Sequence, residues 1–237
     1  MAARTWLAAN DRSPVLVRAT SPGPGLFRQS RVGKNGVPFM LYKIRTMRVD
    51  AEPVGSRPVW AQARDPRATT LGRWLRDLHL DELPQLYNVL KGEMAIVGPR
   101  PERPEFVAVL KQQIADYEKR LDVLPGITGL AQLNLPPDCD VNSVRKKLEL
   151  DKAYIREQSM LLDIKLILCT FVCLLGWRKE SVVRWMRLDR AVRTNLETSI
   201  AYEPTDLAFW TIAIPEESVE HKILEPFDLS FQTSDSR

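Results

Sequence analysis

The chain has few of the residues and runs that mark the commoner function classes. Three cysteines (Cys139, Cys169, Cys173) in 237 residues are too few and too unevenly placed for a disulfide framework, and no Cys/His spacing resembles a zinc site. Cys169 and Cys173, four apart on one face of an expected helix, lie among apolar neighbours and read as packing residues. The two histidines, His79 and His221, are isolated from each other and from any serine or cysteine nucleophile. No apolar h-region opens the chain, so Met1 to Pro14 does not read as a secretory signal. The most apolar run, Leu166 to Gly176, is about half of the roughly 20 residues that a spanning helix needs. Neither a P-loop nor a dinucleotide fingerprint is present, and no internal repeat or low-complexity block appears.

What is present is the composition of a globular protein, 44% hydrophobic and 27% charged, long enough for one core of ordinary size and short for two. The net charge of +4 suits an anionic substrate, a phospholipid surface or nucleic acid about equally. Lys34-Asn35-Gly36 predicts a hairpin turn between arms at Phe27 to Val32 and Pro38 to Ile44. Thr70 to Asp77 reads as a helix capped by Thr70. A second starts at the Asp81-Glu82 pair, with Pro84 in its first turn and Gly92 as its stop. Met94 to Val97 is a short apolar strand or turn. From Pro104, Phe106, Leu110, Ile114, Tyr117 and Leu121 recur at helical spacing and predict one amphipathic helix ending before Pro125. Further helices are expected from Val141 through Tyr154 and from Leu161 to Gly176. The basic stretch after Trp177 fits either a helix lying on an anionic membrane surface or a solvated helix packed on the domain. A nucleic-acid module is not expected, because no recognised motif accompanies those basic residues and aromatics are not interleaved as stacking platforms.

The adjacent acids Asp81 and Glu82 have two readings. As first-turn acids they would cap a helix and favour its positive end. The second reading rests on the cations around them: Lys43 and Arg45 end the hairpin arm, Arg73 and Arg76 are three apart on the preceding helix, and Arg100 sits in a Gly-Pro-Arg-Pro turn. Guanidinium forks match phosphate oxygens in bidentate fashion. Magnesium accepts one or two carboxylates and keeps waters or phosphate oxygens for its other positions. The set therefore describes a site for a phosphate ester and Mg2+ held at Asp81 and Glu82. A carboxylate in such a site can act as a nucleophile and form an acyl phosphate.

Three segments, FRQSRVGKNGVPFMLYKIRTM, LGRWLRDLHLDELPQLYNVLKGEMAIVGPRPERPEF and LPGITGLAQLN, resemble in order the signatures of the bacterial sugar transferases, the monotopic polyprenol-phosphate phosphoglycosyl transferases. KLELDKAYIREQSMLLDIKLILCTF resembles the closing helices of that family. The resemblance covers roughly residues 21 to 177, and Trp60 to Pro66 together with the run after Arg100 look like the catalytic region of the larger, exopolysaccharide-initiating members. It implies an α+β fold, mostly helical, in a single domain with a small N-terminal β-hairpin and amphipathic membrane-surface helices. The implied reaction is transfer of a sugar 1-phosphate from a UDP-sugar to a polyprenol phosphate at the cytoplasmic face of the bacterial inner membrane; the alternative reading is a catalytically weak or inactive membrane-associated interaction subunit. Other polysaccharide-assembly proteins are conceivable partners. Asp81 matches the nucleophile of the family and Glu82 its acidic neighbour; Lys43, Arg76 and Arg100 match basic positions that hold phosphates, and Gln132, in the last segment, is grouped with the substrate-binding residues. The chain departs from the family pattern at Glu93, Ala95, Leu135 and Pro136. Only Ser13 to Thr20, containing Arg18, precedes Ser21-Pro22-Gly23-Pro24, where the family has a re-entrant apolar helix. The expected division is therefore a shortened segment at 1–20, a catalytic domain at 21–177, and a basic helix with an acidic tail at 178–237.

Overall fold

Asn35 and Gly36 take left-handed backbone angles (φ 56° and 77°), which a short polar side chain and a glycine tolerate, and this closes the expected hairpin. Strands β1 (Leu26–Val32) and β2 (Pro38–Ile44) pair antiparallel, with Leu26 opposite Ile44 and Val32 opposite Pro38. These features come from a computed structural model that describes residues 15–51, 65–138 and 140–190, preceded at its start by the short helix α1 (Val15–Thr20). Residues 60–64, Cys139 and the tail at 195–237 lie outside the described residues.

Helix α2 (Thr70–Asp77) is capped by Thr69, whose hydroxyl accepts from the Gly72 amide at 2.9 Å, one residue earlier than expected. A 3-10 turn at Leu80–Glu82 follows, then α3 (Gln85–Leu90). Asn88 of α3 is fully buried, and its amide bonds the Met40 carbonyl (2.8 Å) and the Tyr42 amide (3.3 Å) on the edge of β2 that faces away from β1. That contact fastens the segment carrying the acid pair to the hairpin.

Strand β3 (Ala95–Val97) pairs in parallel with β4 (Gly126–Thr128), an element the sequence did not announce. The single amphipathic helix expected from Pro104 to Leu121 is two pieces. Helix α4 (Pro104–Gln113) ends where Asp116 turns left-handed (φ 60°), and a separate 3-10 turn follows at Tyr117–Leu121. The break lets Tyr117 and Arg120 both enter the interior.

The main core forms where α5 (Leu130–Asn134), α6 (Val141–Glu157), α7 (Met160–Leu174) and α8 (Lys179–Trp185) meet β3. It is built around Val97, Leu130, Tyr154, Leu166, Cys169 and Leu188. Asp140 and Ser143 cap α6 reciprocally, and Ser159 caps α7. The Tyr154 hydroxyl ties three elements together through the Val97 carbonyl (3.3 Å) and Asp163 (2.9 Å). Helix α8 turns Val182 and Val183 inward and leaves Trp185 exposed. The architecture is mixed α+β, mostly helical, with one small antiparallel strand pair near the N-terminus. Among the described residues no helix is long and apolar enough to cross a membrane.

Candidate active site

His79 adopts a left-handed conformation (φ 52°) directly after α2 and swings the chain into the 3-10 turn that holds both acids. Neither acid caps α3: Pro84 precedes that helix and no side chain caps it. The capping reading therefore gives way to a site formed in the angle between α2, α3 and the end of β2.

The two carboxylates are treated oppositely. Glu82 accepts at Oε1 from Lys43 Nζ (2.7 Å) and from an Arg100 guanidinium nitrogen (2.6 Å). Burial alone would push the Glu82 carboxyl up, but Arg100 and Lys43 together hold it well below the ordinary carboxylate range. Arg100 is held more firmly protonated by Glu82 in return. Burial pushes the Lys43 ammonium down while Glu82 pulls it back up. Asp81 is 7% exposed and, among the described residues, has no hydrogen-bond or ion-pair partner. Burial raises its pKa above the ordinary aspartate value; Lys43 opposes that rise, Glu82 adds to it, and Arg76 and His79 oppose it. One acid is thus held ionised as the counter-charge of Lys43 and Arg100, while its neighbour is largely buried and makes no hydrogen bond among the described residues.

Of the residues expected here, Lys43, Arg76 and Arg100 converge. The Arg76 Nε donates to the Thr46 hydroxyl at 2.8 Å, which aims the half-buried guanidinium from α2 toward Asp81. Arg73 does not join them: its guanidinium lies back along its own helix, bonding the Ala68 carbonyl and the Thr70 hydroxyl, both at 3.3 Å. Arg45 is buried and clamps the Ser21-Pro22 segment, donating to the carbonyls of Pro22 (2.7 Å) and Ser21 (2.9 Å) and to the Ser21 hydroxyl (2.8 Å). Gln132 donates to the Ile127 carbonyl at 3.0 Å, and its Oε1 is buried without a partner among the described residues.

Several residues that shape the site carry no signal in a linear reading. Arg120 fixes the Arg100 backbone, donating to its carbonyl at 2.9 Å, and is itself held by the Tyr117 hydroxyl (2.9 Å) and by a buried ion pair with Asp151 at 3.0 Å. Burial pushes the Asp151 carboxyl up to about 6 against the pull of Arg120 and Lys147. Thr46 and Asn88 are likewise polar residues whose roles depend on which groups they meet.

The family profile described as Bacterial sugar transferase matches residues 13–176, more than two thirds of the chain. The chain belongs to the bacterial sugar transferase family. It is 42% identical over 156 residues to the UDP-N-acetylgalactosamine-undecaprenyl-phosphate N-acetylgalactosaminephosphotransferase of Aeromonas hydrophila, covering 66% of this chain and 36% of the relative. It is 43% identical over 167 residues to the UDP-glucose:undecaprenyl-phosphate glucose-1-phosphate transferase of Escherichia coli K12, covering 67% and 35%. A protein of the same name from Caulobacter vibrioides is 41% identical over 161 residues, covering 67% and 60%. The chain therefore spans less than two thirds of the length of each of these relatives.

A divalent cation such as Mg2+ could be held by this donor set in one particular way. Among the described residues no three acidic, histidine or cysteine side chains gather to form a protein cage. The Asp81 carboxylate has no competing partner, whereas Glu82 Oε1 already accepts from two cations. A single carboxylate with the remaining positions left to water and phosphate oxygens is a mode that Mg2+ favours. Of the pair, Asp81 is the residue that would hold such an ion.

Proposed function

We propose that this chain transfers a sugar 1-phosphate from a UDP-sugar to a polyprenol phosphate, with Asp81 as the nucleophile. The observation that carries this reading is the asymmetry of the acid pair: a carboxylate buried, raised in pKa and unbonded, beside one locked between Lys43 and Arg100. An Asp81 oxygen attacks the sugar-bearing phosphorus of the UDP-sugar and forms a carboxylate-phosphate bond. The phosphoanhydride bond to the uridine phosphate breaks, its electron pair leaving with UMP. A phosphate oxygen of the polyprenol phosphate then attacks the same phosphorus, the bond to Asp81 breaks, and the carboxylate is restored as the sugar diphosphate lipid departs. Arg76 and Arg100 supply positive charge where negative charge accumulates on the phosphoryl oxygens, and most of the acceleration comes from position and charge compensation. Mg2+ held by Asp81 and the substrate phosphates would neutralise further charge on the leaving UMP. Glu82 keeps Lys43 and Arg100 in place without consuming the nucleophile.

The acceptor is a lipid, and the exposed apolar stripe of α7 (Leu161, Ile164, Leu168, Phe171, Leu175) is a face suited to the membrane surface that holds it. By this reading the chain works at the cytoplasmic face of the inner membrane, in the initiating step of exopolysaccharide or a related glycoconjugate.

Asp81→Asn tests the assignment, because the amide preserves shape and removes the nucleophile. UMP release from UDP-glucose or UDP-N-acetylgalactosamine, with Mg2+ and undecaprenyl phosphate, is expected to fall by about 10³-fold or more. The phosphosugar adduct seen by intact mass should vanish. Undiminished turnover in that variant removes the mechanism.

A further inference from the structure

Arg100 stands between two prolines in Gly98-Pro99-Arg100-Pro101, so the loop has no N–H at 99 or 101 with which to be fastened. It is held by what its carbonyls accept. Pro99 accepts from the Gly126 amide (2.9 Å), Arg100 from the Arg120 guanidinium (2.9 Å), Pro101 from the Arg31 guanidinium (3.0 Å) and Glu102 from the Val32 amide (2.9 Å). Of these donors, Arg120 alone meets the residue whose side chain reaches the acid pair.

Arg120 is buried, and its two terminal nitrogens are used differently. One donates to the Tyr117 hydroxyl at 2.9 Å and the other to the Arg100 carbonyl. The Asp151 carboxylate lies 3.0 Å from that second nitrogen but off its N–H directions, so it makes an ion pair and no aligned hydrogen bond. A carboxylate is a stronger acceptor than a carbonyl. A guanidinium placed only to neutralise a buried acid would turn an N–H toward it. Here Asp151 balances the charge while the Arg100 carbonyl sets the direction. Nor does stability explain the pair well, because apolar residues of similar volume often replace a buried ion pair without loss.

We propose that Arg120 is a positioning residue for sugar-phosphate transfer: it pins the root of Arg100 from the interior, while Glu82 ties the far end of the same side chain at 2.6 Å. This rests on the reading of Asp81 as the nucleophile and of Arg100 as the compensating charge. With both ends held, the partly exposed Arg100 guanidinium is in place before the phosphoryl group arrives. Arg120 touches no substrate, and its effect belongs to the chemical step more than to capture of the UDP-sugar.

Arg120→Lys in the full chain tests this, because it keeps a positive charge beside Asp151 and loses the rigid fork that spans the Arg100 carbonyl and the Tyr117 hydroxyl. UMP release from UDP-glucose and UDP-N-acetylgalactosamine, with Mg2+ and undecaprenyl phosphate, is measured well below the thermal midpoint of each variant. Arg120→Lys is expected to lose about tenfold or more in kcat and to leave KM within about threefold. In an Arg100→Lys background the same substitution should cost less than about twofold, since the group it positions is already gone. A merely structural role would give the same fold-loss in both backgrounds. Wild-type kcat in folded Arg120→Lys, or equal losses in the two backgrounds, overturns the proposal. Should Arg120→Lys not fold, Tyr117→Phe takes its place: it frees one arm of the fork and leaves the ion pair, and wild-type kcat in that variant overturns the proposal equally. Undiminished turnover in Asp81→Asn sinks the reading of Asp81 itself, which separates the two failures.

Discussion

Removing the charge at Glu82 leaves Lys43 and Arg100 facing each other across a half-buried gap. Breaking one partner out of a buried pair costs about 3–5 kcal/mol, and solvent access to Arg100 brings the expected loss for Glu82→Gln to the lower end, about 3 kcal/mol. A urea midpoint at neutral pH measures it. The pH dependence has a definite sign. The folded-state carboxyl is held below its unfolded value of about 4.3, so its stabilisation is present above that pH and drains away as the pH falls further. The wild type should lose stability on acidification below about pH 4, and Glu82→Gln should lack that component of the loss. At this scale the sequence was legible where side-chain charge carried the message. Asp81, Glu82, Lys43, Arg76 and Arg100 stand out by charge, and the fold brings these five together. Arg45 and Arg73 look identical to them in sequence, but their guanidinium groups bond backbone carbonyls and nearby hydroxyls, and no pattern of residue types says which carbonyl will be in reach.

Helix α2 sets the position of Arg76, and α2 rests directly on the backbone that leaves β2. A methyl group at Gly72 would stand 2.0 Å from the Thr46 carbonyl oxygen and 2.7 Å from its carbon. In an exposed helix interior, glycine to alanine stabilises by about 1 kcal/mol. Here the neighbour is backbone, already committed to the Thr69 amide at 2.9 Å, so it has little freedom to retreat. Overpacking at about 1–3 kcal/mol outweighs the propensity gain. Gly72→Ala is accordingly expected to lower the thermal midpoint and, by shifting α2, to break the bond from Arg76 to Thr46 and reduce UMP release by about tenfold or more. An unchanged midpoint with unchanged turnover would show that α2 slides without consequence. Elements were readable in proportion to their length. The hairpin and the long helices α6 and α7 follow from turn chemistry and sustained periodicity. Strand β4 is three residues long and pairs with a strand some thirty positions earlier, so neither period nor proximity exposes it. The left-handed Asp116 that splits the helix after Gln113 is equally silent, because the apolar spacing continues straight through it.

At the scale of the whole molecule, α7 presents a conflict that its own core does not resolve. Leu162, Leu166 and Cys169 pack inward at helical spacing, yet Leu161, Ile164, Leu168, Phe171 and Leu175 recur at steps of three and four on a face left exposed. Trp177 and Trp185 stand exposed beyond it, with Arg178, Arg184 and Arg187 nearby in the chain. At 15 residues the helix is too short to cross a bilayer, but long enough to lie in the interface, where an apolar face buries and tryptophan and arginine meet the headgroups. Burying a large apolar side chain is worth about 1.5–3 kcal/mol, so converting two of them to acids should weaken lipid binding by about 10²- to 10⁴-fold. The double variant Leu168→Glu with Phe171→Glu should therefore stay in the supernatant when sedimented with vesicles containing anionic phospholipid, while the wild type pellets. Because the attraction is largely apolar, the wild type should still pellet in high salt, where a purely basic contact would be screened. Wild-type sedimentation by the double variant would mean that lipid meets some other face and that the stripe on α7 is covered by a different partner.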